Sequence, residues 1–199
     1  RYELMRVSFK PYSSCRSTHP ALTAVSAIIQ EQNILSKGIE QVKISGLSDA
    51  MRLATSERYR PQTMKEAQFS IPYVTAMVIM GEKPGKPWYT EEKLNNREVL
   101  DLAGKVKVEI DPEADREYYE YKKMPSTVDI FTKDGKSFRK HIEYPKGDPK
   151  NPLTNEEHKH KFINIASYVL KREQIDEIIK RIERLEHLDS ISEVIALLK

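Results

Sequence analysis

The stretch "FKPYSSCRSTHPAL", residues 9–22, sets Lys10, Cys15, Arg16 and His19 within ten positions. A lysine and an arginine beside a helix start suit an anion. The first-turn N–H groups and the positive dipole end face it, and arginine grips a carboxylate or phosphate with two N–H groups. Histidine in such a place can move a proton near neutral pH. Cys15 has two readings: a thiolate nucleophile activated by Arg16 and the dipole, or an inert small side chain. The plain alternative for the whole cluster is that Lys10 and Arg16 are solvated and His19 simply opens a helix.

A second cationic loop, "YPKGDPKNPLT" (144–154), carries Lys146, Gly147 and Lys150 ahead of another helix start. It could cradle an anionic group, or merely cross from a sheet to the helices that follow. It lacks the Walker pattern of a nucleotide loop. His158 and His160 are two residues apart on a helix, so they diverge, and no metal site is expected. "REYYEYKK" (116–123) mixes aromatic and basic residues as single-strand nucleic-acid binders do, but Glu113, Asp115 and Glu120 cancel that field. It reads as a solvated turn or strand edge, with no nucleic-acid partner.

The elements that must hold these loops follow from periodicity. Residues 4–9 alternate as a short strand would, and Thr18 can cap a helix whose stripe of Leu22, Val25, Ile28 and Ile29 runs out near Asn33. Gln41–Ser45 reads as a strand, and 46–62 as irregular with a short helical turn. Thr63 and Glu66 form a capping box before a buried helix that Pro72 must kink or restart. Asn96 caps a short helix ended by Gly104, and Val106, Val108 and Ile110 alternate as a half-buried strand. Asp134-Gly135 between two β-type runs signals a hairpin. Thr154 with Glu157 launches a helix through Leu170. A second helix follows with a stripe of Ile175, Ile178, Ile179, Ile182 and Leu185, then a short one led by Asp189. The expected organisation is an α+β domain over 1–153, with a mostly antiparallel sheet and packed helices, and a helical tail over 154–199.

Composition bounds the partners. The 33 basic residues nearly balance 30 acidic ones, so total charge points to no polyanion or membrane surface. One cysteine excludes an internal disulfide and fits a reducing, cytoplasmic setting. No apolar run is long enough to span a membrane, and no leader pattern is visible. The chain opens on Arg1 in a strand-like pattern, which is the expectation for a later part of a longer polypeptide.

Three blocks then carry a resemblance: "FKPYSSCRSTHPAL", "PQTMKEAQFSIPYVTAMVIMGE" and "YPKGDPKNPLTNEEHKHKF". In order and spacing they resemble the C-terminal half of the MmgE/PrpD family, which includes 2-methylcitrate dehydratases, cis-aconitate decarboxylases and iminodisuccinate epimerases. The resemblance implies an α+β lid domain, with a tail returning to an all-helical N-terminal domain of the same polypeptide. It implies a homodimer and proton chemistry beside a carboxylate, with no metal or organic cofactor. Lys10 matches the family's active-site lysine, so Lys10 and Cys15 are the catalytic candidates. Lys10, Arg16, His19 and Lys146 are the candidates for binding a polycarboxylate, with His19 in a more structural role. Cys15 stands where decarboxylase members carry a histidine, which turns the expectation toward a hydro-lyase resembling 2-methylcitrate dehydratase. The alternatives are a same-family epimerase or decarboxylase, or a non-catalytic carboxylate-binding or subunit-pairing module.

Overall fold

The computed structural model describes residues 2–198; the reading that turned on Arg1 lies outside them. The chain divides into two compact units, Arg1–Pro152 and Leu153–Lys199. In the first unit, helix α1 (His19–Gln32) precedes strand β1 (Ile39–Gly46), and five helices lead to the next strand: α2 (Ser48–Met51), α3 (Met64–Gln68), α4 (Ile71–Ile79), α5 (Glu91–Leu94) and α6 (Arg97–Ala103). Strand β2 (Val106–Ile110), helix α7 (Pro112–Tyr121) and the hairpin β3 (Ser126–Thr132) and β4 (Ser137–Ile142) complete it.

The four strands lie in the order β2-β1-β3-β4. β1 and β2 run parallel, an arrangement that needs the long helical crossover between them, and the other two pairings are antiparallel. The fold class is therefore α+β. Val42 pairs with Val106 on one side and Ile130 on the other, so the apolar positions of three strands fall on one face. Val42, Ile44, Val106, Val128 and Ile130 are buried there, with Leu22, Val25 and Ile28 of α1 and Tyr73, Val74 and Met77 of α4 in the same core. At about 25 cal/mol per Å² of apolar surface removed from water, this layer is the main source of the unit's stability.

Local chemistry explains most boundaries. Thr63 caps α3 by accepting the Glu66 N–H, and Ser70 then caps α4 by accepting the Tyr73 N–H. Pro72 sits in the first turn of α4, where its missing N–H costs no helix bond, so the chain restarts there rather than kinking. Asn96 caps α6, and Gly135 takes φ +81° in the hairpin turn.

Three expectations need correction. Residues 4–9 form no strand: Glu3–Arg6 is a 3₁₀ turn, and Leu4, Met5, Val7 and Phe9 are exposed. Alternation alone cannot make a strand without a neighbour to complete its hydrogen bonds, and residues 4–9 pair with none of the four strands. The tyrosine-rich stretch lies in helix α7, not in a turn or strand edge. Asp111 accepts the Glu113 N–H, Pro112 occupies the first turn and Glu113 and Asp115 complement the dipole, which together start a helix. Thr18 precedes α1 without capping it, because its hydroxyl donates to the Cys15 carbonyl instead.

The second unit begins with α8 (Asn155–Ala166), opened by a full Thr154–Glu157 capping box and ending four residues before Leu170. Then come α9 (Arg172–Ile182) and α10 (Ser192–Ile195). Within this unit Ile175, Ile178 and Val194 are buried, whereas Ile182 and Leu185 remain about half exposed. Among the described residues no helix is long and apolar enough to cross a membrane.

Candidate active site

Segment 9–19 is irregular, so its shape depends on side chains beneath it. Tyr12 donates to the Leu22 carbonyl at 3.3 Å, and Tyr89 donates to the Ser13 carbonyl. Tyr12 also stacks on Trp88 at 6.4 Å and meets His19 edge-on at 5.4 Å. Burial pushes the Tyr89 phenol well above its usual range, so it stays a donor. The Cys15 N–H reaches the Gln68 carbonyl at the end of α3, at 2.8 Å. Since Thr18 spends its hydroxyl proton on Cys15, Ser14 is the donor in the 2.7 Å Ser14–Thr18 contact.

His19 lies under this loop, fully buried. Its Nε2 is 3.4 Å from the Ser14 carbonyl, which can only accept, so Nε2 carries the proton. Nδ1 is then an unprotonated, buried acceptor with no partner among the described residues. Burial, with the positive charges of Arg16 and Lys10 added to it, lowers the His19 pKa to about 4 against a bond to Ser14 that raises it. The imidazole is neutral at physiological pH.

Above it are the charges. Lys10 is exposed and arches back to the Ser14 carbonyl at 3.2 Å. Arg16 stands at the 3₁₀ turn that runs into α1, about one-quarter exposed, and Cys15 beside it is half-buried against the core.

The loop around residues 144–151 closes on the same place through three contacts. The Phe9 N–H donates to the Gly147 carbonyl at 2.8 Å, the Lys146 N–H to Thr23 Oγ1 of α1 at 3.0 Å, and Arg16 Nη2 to Asp148 Oδ2 at 2.9 Å. Gly147 has φ +87°, and a Cβ there would stand 1.8 Å from the Phe9 carbonyl oxygen, so only glycine permits this approach. Lys10 and Lys146 each lie one residue from the Phe9–Gly147 hydrogen bond.

The five residues singled out in the sequence therefore gather at one place: Lys10, Cys15, Arg16 and His19 on one loop, with Lys146 brought to it by another. Sequence reasoning missed Asp148, the acid that bridges the two loops, and the Tyr12–Trp88–Tyr89 support beneath. An acid in an otherwise basic loop was the signal for Asp148. Among the described residues no three His, Cys, Asp or Glu side chains converge to hold a metal ion. What the arrangement offers is two cationic loops held together, with Lys10 and Arg16 on one and Lys146 on the other.

Residues 12–186 match the MmgE/PrpD C-terminal domain. The chain belongs to the MmgE/PrpD family. Two curated relatives are enzymes of this family. Cis-aconitate decarboxylase of Mus musculus is 28% identical over 139 residues, 70% of this chain and 28% of the relative. Cis-aconitate decarboxylase of Homo sapiens is 24% identical over 197 residues, 97% of this chain and 40% of the relative. The chain thus spans at most about two-fifths of the length of these MmgE/PrpD relatives. Lys10 lies two residues before the start of the domain match, whereas Arg16, His19 and Lys146 lie inside it.

Proposed function

We propose that this chain forms the lid and cationic wall of a lyase active site that removes water from a tricarboxylate such as 2-methylcitrate. The observation that carries the reading is the closure of loop 144–151 on loop 9–19, which brings Lys10, Arg16 and Lys146 together. Dehydration beside a carboxylate begins with loss of a carbon-bound proton, and negative charge then builds on that carboxylate. A cation 4 Å away interacts with one unit of that charge by about 4 kcal/mol at an effective dielectric of 20, roughly a thousandfold in rate if realised only in the transition state.

Lys10 and Arg16 hold substrate carboxylates, Lys146 adds charge from the second loop, and neutral His19 keeps the loop in shape from below. Cys15, next to Arg16 in the chain, carries the thiol that is the chain's candidate for a proton-carrying group. The base that removes the carbon-bound proton comes, on this reading, from an all-helical N-terminal domain of the same polypeptide, in a cytoplasmic homodimer without metal or organic cofactor. A second reading, decarboxylation of cis-aconitate, is favoured by the names of both relatives. It is disfavoured by Cys15, which replaces the histidine of the decarboxylase pattern.

Proton NMR in deuterated water separates these readings. The full-length protein is incubated with 2-methylcitrate, citrate, cis-aconitate and iminodisuccinate. Loss of water from 2-methylcitrate is the expected result. Carbon dioxide loss from cis-aconitate would install the second reading. Exchange at the acidic carbon without net change would indicate epimerisation. No change in any of the four would remove the enzymatic reading and leave a carboxylate-binding module.

A further inference from the structure

We propose that Asp148 is the positioning residue of the carboxylate site: it aims Arg16 at the substrate. The inference rests on the reading of Lys10 and Arg16 as substrate-holding cations. Asp148 is itself held rigidly by its loop. Its N–H donates to the Pro145 carbonyl at 3.1 Å, its carbonyl accepts the Asn151 N–H at 2.8 Å, and its Oδ1 accepts the Lys150 N–H at 3.0 Å. That leaves Oδ2 pointing at Arg16 Nη2, 2.9 Å away, with both side chains about one-quarter exposed or less.

Because the guanidinium is planar and rigid, fixing one nitrogen restricts where the others point. Nη1 is buried from solvent and meets no acceptor among the described residues. A buried donor of that kind is a cost to the folded protein unless something accepts from it. Nη1 is closed off by the protein itself, so a substrate carboxylate meets the remaining exposed quarter of the side chain, whose direction the Asp148 bond sets. Asp148 also offsets the positive charge of Arg16 itself.

Asp148→Asn separates these two effects. Its amide oxygen can still accept the Lys150 N–H, but its NH₂ then faces Arg16 Nη2, donor against donor, and releases the guanidinium. Losing the negative charge leaves the site more attractive to an anion, while losing the direction weakens transition-state stabilisation. The expected result for 2-methylcitrate dehydration by the full-length protein is a kcat at least tenfold lower with KM unchanged or reduced.

Positioning through Arg16 makes a further demand. In the Arg16→Lys background, the same Asp148→Asn change should cost less than threefold, because no planar fork is left to aim. Asp148→Glu, which keeps the charge, should recover most of the loss. A tenfold loss that persists undiminished in the Arg16→Lys background would overturn the proposal, since Asp148 would then act on the fold and not through Arg16. Wild-type kinetics in Asp148→Asn would overturn it too, leaving the functional reading intact. If the Asn variant does not fold, Asp148→Ser, which keeps an acceptor for Lys150, takes its place with the same expectations. A wild-type protein that turns over none of the four polycarboxylates and binds no citrate by calorimetry would overturn both the functional reading and this proposal.

Discussion

His19 gives the sharpest test of how the candidate site is held. Its imidazole is neutral in the folded protein, with a pKa lowered from 6.5 to about 4 chiefly by burial. The unfolded chain takes up its proton near 6.5, the folded chain only near 4, so acid favours unfolding. The stability that neutral burial confers is complete above about pH 7, falls as the pH drops through 6.5, and is fully lost below about 4. Between pH 7 and pH 5 that one group costs the folded state about 2 kcal/mol. With a urea slope of about 1–3 kcal/mol per molar, the unfolding midpoint moves down by roughly 1 M. The assay is built in, because Trp88 is the chain's single tryptophan, is fully buried, and stacks on the Tyr12 that touches His19. Its fluorescence reports the unfolding of the first unit alone. Carboxylates add their own pH dependence, so the comparison is with His19→Gln, which is less stable at pH 7 but should lose about 2 kcal/mol less on going to pH 5. Parallel curves for the two proteins would refute the claim that a buried, neutral imidazole supports this loop.

Two substitutions test the rest of the geometry. Gly147→Ala should destabilise the first unit by about 2–4 kcal/mol, because φ +87° is strained for alanine and its Cβ would meet the Phe9 carbonyl. Thermal unfolding should drop by roughly 6 °C or more, and an unchanged melting temperature would mean the two loops do not close as described. Lys10→Ala should abolish the activity of the full-length protein while leaving its melting temperature nearly unchanged, since Lys10 is exposed and gives one bond to Ser14. A fully active Lys10→Ala protein would remove Lys10 from the site.

What the sequence revealed, and what it hid, follows from the range of the interactions. The Asp134-Gly135 hairpin, the Asn96 and Thr63 caps and the Thr154–Glu157 box are set by residues two to four apart, and each is where its residues imply. The cluster from Lys10 to His19 was visible for the same reason. The parallel β1–β2 pairing was not, because it joins Val42 to Val106 across five helices. Asp148 was hidden too, since its partner Arg16 is 132 residues away. Residues 4–9 show the opposite failure: the local pattern suits a strand, but they pair with none of the four strands.

The same geometry limits which groups of this chain can move protons. A general base needs a free acceptor within reach of the substrate. His19 donates from Nε2 to Ser14, and its other nitrogen is sealed beneath Tyr12 and the loop. On the proposed reading Lys10 and Arg16 hold substrate charge and leave proton removal to another group. The pH–rate profile of the full-length protein should therefore carry no inflection from His19 near 6.5. The His19→Gln variant should lose rate through a loosened loop, but the shape of its profile should match wild type between pH 6 and 8. An inflection in that range that disappears with His19 would show that the imidazole reaches the substrate, and would move it from supporting the site to catalysing in it.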